Sequence, residues 1–329
     1  MAKNKETSQK AFTGLVTKST GSWYTVKAAG QEFQCRIRGK LRLKGVKSTN
    51  PVAVGDRVKI TPLEKETGQA LITALEERQN YIIRKSVNLS KQTQIIAANV
   101  DCAMLIATLG YPQTHQRFID RFTVTAEAYS VPVTLVFNKI DLYTPQQFED
   151  LEFLTLMYLD AGYQVLHTSA TKEQGLEDLH QTLIGKTTLL SGHSGVGKST
   201  LINKVEPGLN LKTQAISESH AQGQHTTTFA EMFDLQAGGK IIDTPGIKGF
   251  GLVDMAPEEL GDYFPEILRL KDQCKFNNCL HLHEPGCAIK AAVEAGELAY
   301  LRYESYLSFV EGTEDDEHFR KDIYAEWEL

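Results

Sequence analysis

The chain has 329 residues, 41% of them apolar and 23% charged, with a formal net charge of −6. That length allows two or three domains, each with a real core. The first ten residues are polar, and no apolar run nears the roughly 18 residues of a membrane span, so a secretory leader and a membrane anchor are not expected and the cytoplasm is the default location.

The charge is unevenly spread. Residues 1–60 carry 13 Lys and Arg against 3 Asp and Glu, whereas the remainder carries 22 against 38. A basic amino-terminal module on an acidic body points to a polyanionic partner met at one end. The tail Glu311–Leu329 has 8 acidic and 2 basic residues, so it should avoid nucleic acid or fold back on a basic surface.

Residues 1–10 read as a disordered terminus, and 11–78 as a small barrel. Thr13–Lys18, Trp23–Ala28, Glu32–Arg38, Val58–Ile60 and Ala70–Leu75 are short apolar runs separated by turn residues, five candidate strands that fit an OB-type barrel. Such barrels bind nucleic acid on one face, and Arg36, Arg38, Lys40, Arg42, Lys44 and Lys47 lie on or just after the third strand as candidate RNA contacts. Trp23, Tyr24 and Phe33 can stack on bases, but in so small a barrel at least two are expected in the core.

From about Ala97 the pattern alternates between strand and helix. Val100–Leu109, Val131–Phe137, Tyr163–His167, Thr187–Ser191 and Lys240–Ile242 read as strands; His115–Tyr129, Pro145–Leu159, Gly175–Leu183 and Ser199–Lys204 read as helices. This predicts a doubly wound, mainly parallel sheet over residues 79–255. Residues 256–312 then read as a metal-binding module with helices and 313–329 as an acidic tail, which makes the chain a multidomain α/β protein.

Two signatures in the α/β segment stand in inverted order. Asn138-Lys139-Ile140-Asp141 ends a strand and precedes Gly192-His193-Ser194-Gly195-Val196-Gly197-Lys198-Ser199, which links a strand to a helix. The second is a phosphate loop: its glycines turn backbone amides onto phosphate oxygens, Lys198 bridges the β- and γ-phosphates, Ser199 ligates Mg²⁺, and Thr200 closes the pocket through its backbone. The first reads guanine: the Asp141 carboxylate accepts from the ring N–H and exocyclic amine, which adenine does not supply, and the stem of Lys139 covers the base. Ser169-Ala170 after the next strand completes the base pocket. The usual guanine-nucleotide switch carries the phosphate loop first, so the domain is read as circularly permuted. An α/β domain with neighbouring ends tolerates this, since the motifs still converge at the carboxyl ends of the strands.

Asp243-Thr244-Pro245-Gly246 again follows an apolar strand, with Asp243 a candidate for Mg²⁺ through water and the Gly246 amide for sensing the γ-phosphate. Upstream, Gln224-His225-Thr226-Thr227-Thr228 sits in the polar stretch Glu206–Thr228, read as a switch in which Thr227 is the candidate Mg²⁺ ligand. Ile247 stands where Ras-like enzymes carry a water-orienting glutamine. Intrinsic hydrolysis is therefore expected to be slow, with His225 the candidate for positioning water.

Cys274, Cys279, His281 and Cys287 offer three thiolates and an imidazole, a closed tetrahedral set for one structural zinc ion, with His283 as an alternative fourth ligand. Disulfides are not expected of a cytoplasmic chain, and Cys35 and Cys102 fall in strands as small buried residues.

Taken together, a basic OB-like barrel, the inverted GTPase motifs and the Cys-x4-Cys-x-His-x5-Cys module over roughly residues 11–310 resemble the bacterial small ribosomal subunit-dependent GTPases, the RsgA/YjeQ family. The Gln-His-Thr-Thr-Thr segment and Ile247 share that resemblance. It implies late maturation of the small ribosomal subunit: the GTP form binds the particle and its ribosomal RNA, the particle stimulates hydrolysis, and the GDP form leaves, releasing assembly factors. It also supports zinc, His281 as ligand and His225 in hydrolysis. Neither DNA nor a membrane is expected as a partner, and a monomer is expected. Two other classes remain: an RNA-binding assembly chaperone for which nucleotide is only a conformational ligand, and a P-loop kinase or ATPase with a zinc ribbon, against which Asp141 argues. The permutation places the segment from Asp243 to about Leu252 directly before the metal module, which suggests that γ-phosphate loss reorients the module about Gly249 and Gly251.

Overall fold

The computed structural model describes residues 11–37, 51–63, 66–85, 93–209, 211, 230–244 and 255–313. Strands β1 (Phe12–Ser19), β2 (Tyr24–Ala28), β3 (Gln31–Ile37), β4 (Arg57–Pro62) and β5 (Gln69–Leu75) pair in the order β1-β2-β3-β5-β4, and β4 returns to β1 to close the barrel. Every second side chain turns inward, and Val16, Tyr24, Val26, Cys35, Val58, Ile60 and Ile72 form the barrel core. Tyr24 is thus withdrawn from any stacking role and Phe33 packs half-buried against the same core. Trp23 stays half-buried, with the Arg36 guanidinium 3.9 Å from its ring centroid.

A hairpin follows that the sequence pattern did not announce: β6 (Tyr81–Lys85) pairs with β7 (Thr93–Ala98). The α/β layer is then built from β8 (Cys102–Ala107), α1 (Gln116–Ala128), β9 (Val133–Phe137), α2 (Pro145–Asp160), β10 (Gln164–His167), α3 (Leu176–Leu183), β11 (Thr187–Ser191), α4 (Lys198–Val205), β12 (Glu231–Asp234) and β13 (Lys240–Asp243). The sheet order is β10-β9-β8-β11-β13-β12, parallel throughout except for the antiparallel edge strand β12. Neighbours in sequence explain why β8 and β9 read as continuous apolar runs: Ala103 and Leu105 face one core and Met104 and Ile106 the other. Local signals set the helix starts where they are strong. Thr144 and Gln147 form a reciprocal capping box ahead of Pro145 at the first turn of α2.

The carboxyl-terminal module adds α5 (Pro265–Leu268), α6 (Ala288–Glu294) and α7 (Tyr300–Glu311). It is joined to the α/β layer through α1, whose residues Phe118–Ala126 are all buried. Phe118, Ile119 and Phe122 pack on the sheet, while Val124 packs into the module core with Phe264, Ile267 and Tyr306. At the same seam Arg302 of α7 bonds Asp120 of α1 at 2.6 Å and Glu266 of α5 at 2.5 Å, and its guanidinium lies 4.7 Å from the Phe264 ring centroid. The side chains of Arg302, Asp120 and Glu266 are 1%, 0% and 6% exposed. Tyr158 of α2 also donates to Asp120, at 2.8 Å.

The barrel meets the α/β layer differently. Edge strand β12 pairs with β1 through the single register pair Lys18 and Glu231, so sheet and barrel form one continuous ladder. Lys18–Glu231 at 2.9 Å and Lys27–Asp234 at 2.7 Å flank it as half-exposed ion pairs. Pairs of this exposure contribute about 0–1 kcal/mol each and are screened by salt. A second joint sits at Gly55, whose carbonyl accepts from Asn99 Nδ2 at 2.9 Å, beside a backbone bond from Ala98 to Val54 at 2.9 Å.

Candidate functional site

Four loops converge at the carboxyl edge of the parallel strands, where β11 is flanked by β8 on one side and β13 on the other. The loop after β11 runs Gly192 to Gly197 into α4, and Gly192, Gly195 and Gly197 all adopt positive φ, at +143°, +87° and +93°. At two of them space also forbids a side chain. A Cβ on Gly192 would lie 2.3 Å from the Ile106 carbonyl oxygen, and one on Gly197 2.6 Å from Asn138 Nδ2. Val196 anchors the loop in the core, while Ser194 and Thr200 are exposed and Ser199 is half-buried at the mouth. The His193 ring packs on Phe118 of α1, centroids 4.1 Å apart.

Lys198 Nζ donates to the carbonyls of Gly192 and His193 at 2.6 and 2.8 Å, which holds the ammonium inside the loop. Burial lowers its pKa to about 8, partly opposed by the nearby Asp243 carboxylate. Asp243 ends β13 in register with Leu190 of β11 and with Glu231 of β12. The candidates His225, Thr227 and Gly246, together with Ile247, Gly249 and Gly251, lie outside the described residues.

The loop after β9 is tied directly to the phosphate loop. Asn138 is buried; its Nδ2 donates to the Val196 carbonyl at 2.9 Å and its Oδ1 accepts from the Thr168 hydroxyl at 3.0 Å. Lys139 takes a left-handed conformation at φ +61°, which turns the chain so that Ile140 and Asp141 enter a 3-10 turn. Burial lowers the Lys139 pKa, and its ammonium donates to the Tyr111 carbonyl at 2.8 Å. Asp141 accepts from Ser169 at 2.5 Å and from Thr171 at 2.8 Å. Desolvation is the largest single influence and acts to raise its pKa, but these two bonds, a backbone bond and the Lys172 charge together outweigh it and hold the carboxyl below the usual range, so it stays an anionic acceptor. Ala170 is buried behind it. The sequence reading missed Thr168, Thr171 and Tyr143. The phenol of Tyr143 accepts from the Leu109 amide at 2.9 Å and donates to the Asn138 carbonyl at 3.0 Å. No spacing rule marks such supports; only Thr171, two residues after Ser169, carried a positional hint.

The metal candidates also come together. One ligand atom from each of Cys274, Cys279, His281 and Cys287 lies within 4.8 Å of the others. His281 Nδ1 is 3.6 Å from Cys274 Sγ and 3.4 Å from Cys287 Sγ, close to the nitrogen–sulfur separation of about 3.6 Å that tetrahedral bonds of about 2.1 Å to nitrogen and about 2.3 Å to sulfur require. A Cys₃His set of this size fits one thiophilic ion. His283 is exposed and outside the cluster. His281 sits at φ +60°, and its loop is fixed by groups the sequence did not flag. Glu284 accepts the amides of Leu280, Leu282 and His283 at 2.8, 2.9 and 3.0 Å. Tyr303 and Tyr306 of α7 donate to the carbonyls of His281 and Leu280 at 2.6 and 2.9 Å.

Of the basic candidates on the barrel, Arg36 is exposed beside Trp23. Arg38, Lys40, Arg42, Lys44 and Lys47 lie outside the described residues. Among the described residues no helix is long and apolar enough to cross a membrane.

The RsgA GTPase family pattern matches residues 75–253 and the RsgA N-terminal domain pattern matches residues 13–70. The small ribosomal subunit biogenesis GTPase RsgA of Flavobacterium johnsoniae is 57% identical over 96% of this chain and 97% of its own, and the small ribosomal subunit biogenesis GTPase RsgA 2 of Bacteroides thetaiotaomicron is 53% identical over 93% and 98%. Among solved structures, YjeQ from Thermotoga maritima matches with a TM-score of 0.73 at 35% identity over 92% of this chain and 98% of its own. YloQ, described as a circularly permuted GTPase, matches at 0.68 and 31% over 93% and 96%. The barrel, the inverted but converging motifs and near-full-length similarity at this level mean that the chain belongs to the RsgA family of circularly permuted GTPases.

Proposed function

We propose that this chain hydrolyses GTP to GDP and phosphate as a late maturation factor of the small ribosomal subunit, binding the particle in the GTP form and leaving after particle-stimulated hydrolysis. The observation that carries the reading is the hydrogen bond from Asn138 to Val196, by which the base-reading loop and the phosphate loop form one pocket despite their inverted order. In that pocket Asp141, supported by Ser169 and Thr171, accepts from guanine. Asn138 and Lys139 shape the base slot with Ile140 and Ala170. The amides of Gly192 to Gly197 and the Lys198 ammonium take the phosphates. Ser199 and, through water, Asp243 are assigned to Mg²⁺, which when bound neutralises charge on the β- and γ-phosphates. Thr227, Gly246 and His225 are assigned to Mg²⁺ ligation, γ-phosphate sensing and water positioning from the sequence alone.

The Cys₃His set is assigned one structural zinc, since three thiolates and an imidazole in a closed tetrahedron suit that ion. The barrel, residues 11–78, is read as the ribosomal RNA-binding domain, 79–255 as the GTPase and 256–312 as the zinc module of a cytoplasmic monomer. The chaperone alternative, in which nucleotide is only a conformational ligand, gains nothing from the pocket: a half-buried, partly desolvated lysine and a carboxylate beside the phosphate loop suit phosphoryl chemistry. Hydrolysis by the purified protein alone, with small subunits and with large subunits, using ATP as control, tests the proposal. Stimulation by small subunits only is expected; equal stimulation by both removes the assigned partner.

A further inference from the structure

The barrel's two joints to the GTPase layer differ in kind. At Gly55 the joint is packed: a Cβ there would lie 2.0 Å from the Ala98 carbonyl oxygen, and the adjacent Asp56, fully buried, is clamped by Arg78 through two bonds of 2.7 Å. At the other joint β1 and β12 share one register pair, and Lys18, Glu231, Lys27 and Asp234 are 39%, 36%, 44% and 54% exposed. Beside it opens a cleft of about 1000 Å³ lined by Lys18, Trp23, Lys27, Glu32, Gln34, Gln69 and Glu231, in which Lys27 also lies 3.9 Å from Glu32.

We propose that this cleft is an RNA-binding surface masked by the chain's own carboxylates, with Glu231 on Lys18 and with Asp234 and Glu32 on Lys27, the two lysines that RNA phosphates take when the seam opens. The inference rests on reading the chain as a ribosome-directed GTPase with an RNA-binding barrel. The lining is that of a single-strand site: cations to follow a backbone, an aromatic ring to stack a base, and amides for its edge. Trp23 carries the Arg36 guanidinium over its ring, a further cation at the same mouth. The pairs that mask the cleft are exposed and screened, so a polyanion that offers several phosphates at once outcompetes the separate carboxylates Glu231, Asp234 and Glu32. The packed joint at Gly55 then serves as the pivot.

The register gives this opening a route to the nucleotide. Glu231 stands opposite Lys18 on β1 and opposite Asp243 on β13, so three consecutive strands place a barrel lysine, the latch carboxylate and the magnesium candidate in one row. Drawing β12 away from Lys18 therefore acts on the strand pair that positions Asp243. RNA binding at the barrel and the state of the nucleotide pocket become linked through a hydrogen-bonded ladder.

The test uses the full chain, a labelled single-stranded decauridylate and polyglutamate as an acidic-protein control. The double variant Glu231→Gln/Asp234→Asn, which keeps side-chain shape, should bind the RNA at least about threefold more tightly than the unmodified chain, since Lys18 is freed and Lys27 keeps only its longer contact with Glu32. Lys18→Gln/Lys27→Gln should bind more weakly, with the salt slope reduced by up to about 1.4, the share of two phosphates on a single strand. Trp23→Ala should lose about tenfold in affinity, as expected for one stacked base. Should the double variant not fold, Glu231→Gln alone, which leaves Lys27–Asp234 intact, should change affinity in the same direction. Unchanged RNA affinity in the carboxylate and lysine variants would overturn the proposal, and so would polyglutamate binding as tight as RNA, which would assign the cleft to an acidic protein segment. Small-subunit stimulation of the unmodified chain is measured alongside. Its absence counts against the ribosome-directed reading, whereas its presence with inert latch variants counts against the latch alone.

Discussion

The side-chain amide of Asn138 donates to the carbonyl of Val196 at 2.9 Å, a single bond that joins two motifs 58 residues apart in the chain. Both groups are buried, and Asn138 Oδ1 is engaged by Thr168 as well. Asn138→Ala leaves a buried carbonyl and a buried hydroxyl unpaired, at a cost of about 1–3 kcal/mol each. A lower denaturation midpoint and a fall of at least about tenfold in GTP affinity are expected. Titration with a fluorescent guanine nucleotide reads the second; unchanged affinity would show that the bond does not organise the base loop.

Lys198 gives nucleotide binding a pH dependence of defined sign. Its pKa in the free protein is lowered to about 8 by burial, and bound phosphates raise it, so above pH 8 binding must take up a proton. Affinity for GTP should be flat below pH 8 and fall above it, with a slope approaching tenfold per unit. The same depressed value means that the nucleotide-free fold gains stability as pH rises through this range, because the unfolded chain there holds more protons. Isothermal titration at pH 7, 8 and 9 checks the first statement and thermal melts of the free protein the second. Affinity that stays constant to pH 9 would contradict the first.

Arg302 should be among the residues least tolerant of substitution outside the nucleotide pocket. Arg302→Ala leaves Asp120 and Glu266 buried without their cation, a loss of about 3–5 kcal/mol. Arg302→Met with Asp120→Asn and Glu266→Gln should recover much of that loss, because the burden lies in the uncompensated charges rather than in the volume. Denaturant midpoints of the two proteins decide between these contributions.

The metal centre should be separable from nucleotide binding. Chelation, or Cys279→Ser, is expected to release one zinc per chain and lower the melting temperature, while GTP affinity changes little, since the ligands share no contact with residues 138–141 or 192–199 among the described bonds. Elemental analysis of the purified protein is the direct measure, and a chain that carries iron instead would correct the metal.

Much of the site was legible because its chemistry depends on fixed spacing. Gly192, Gly195 and Gly197 betray their conformations by being glycines, and the Cys₃His ligands announce themselves by residue type. The strands that feed these loops were legible because burial on both faces leaves continuous apolar runs. What escaped was whatever depends on tertiary neighbours. Thr168, Tyr143 and Glu284 support the sites from positions that no pattern singles out. The hairpin β6–β7 was hidden because its short strands are separated by a polar stretch. Strand β12 was hidden because only four residues, half of them acidic, form it, and its pairing with both β13 and the barrel creates it.

Helix α1 has a consequence for how the chain can be divided. Its middle turns have no face left for water: one side lies on the sheet, and the other carries Asp120 and Val124 into the module beyond. Severing the chain ahead of residue 255 would therefore leave a carboxylate and an apolar stripe uncovered on the GTPase itself, inviting aggregation. The metal module is thus the outer wall of the GTPase domain, and a shortened chain without it would need a resurfaced α1.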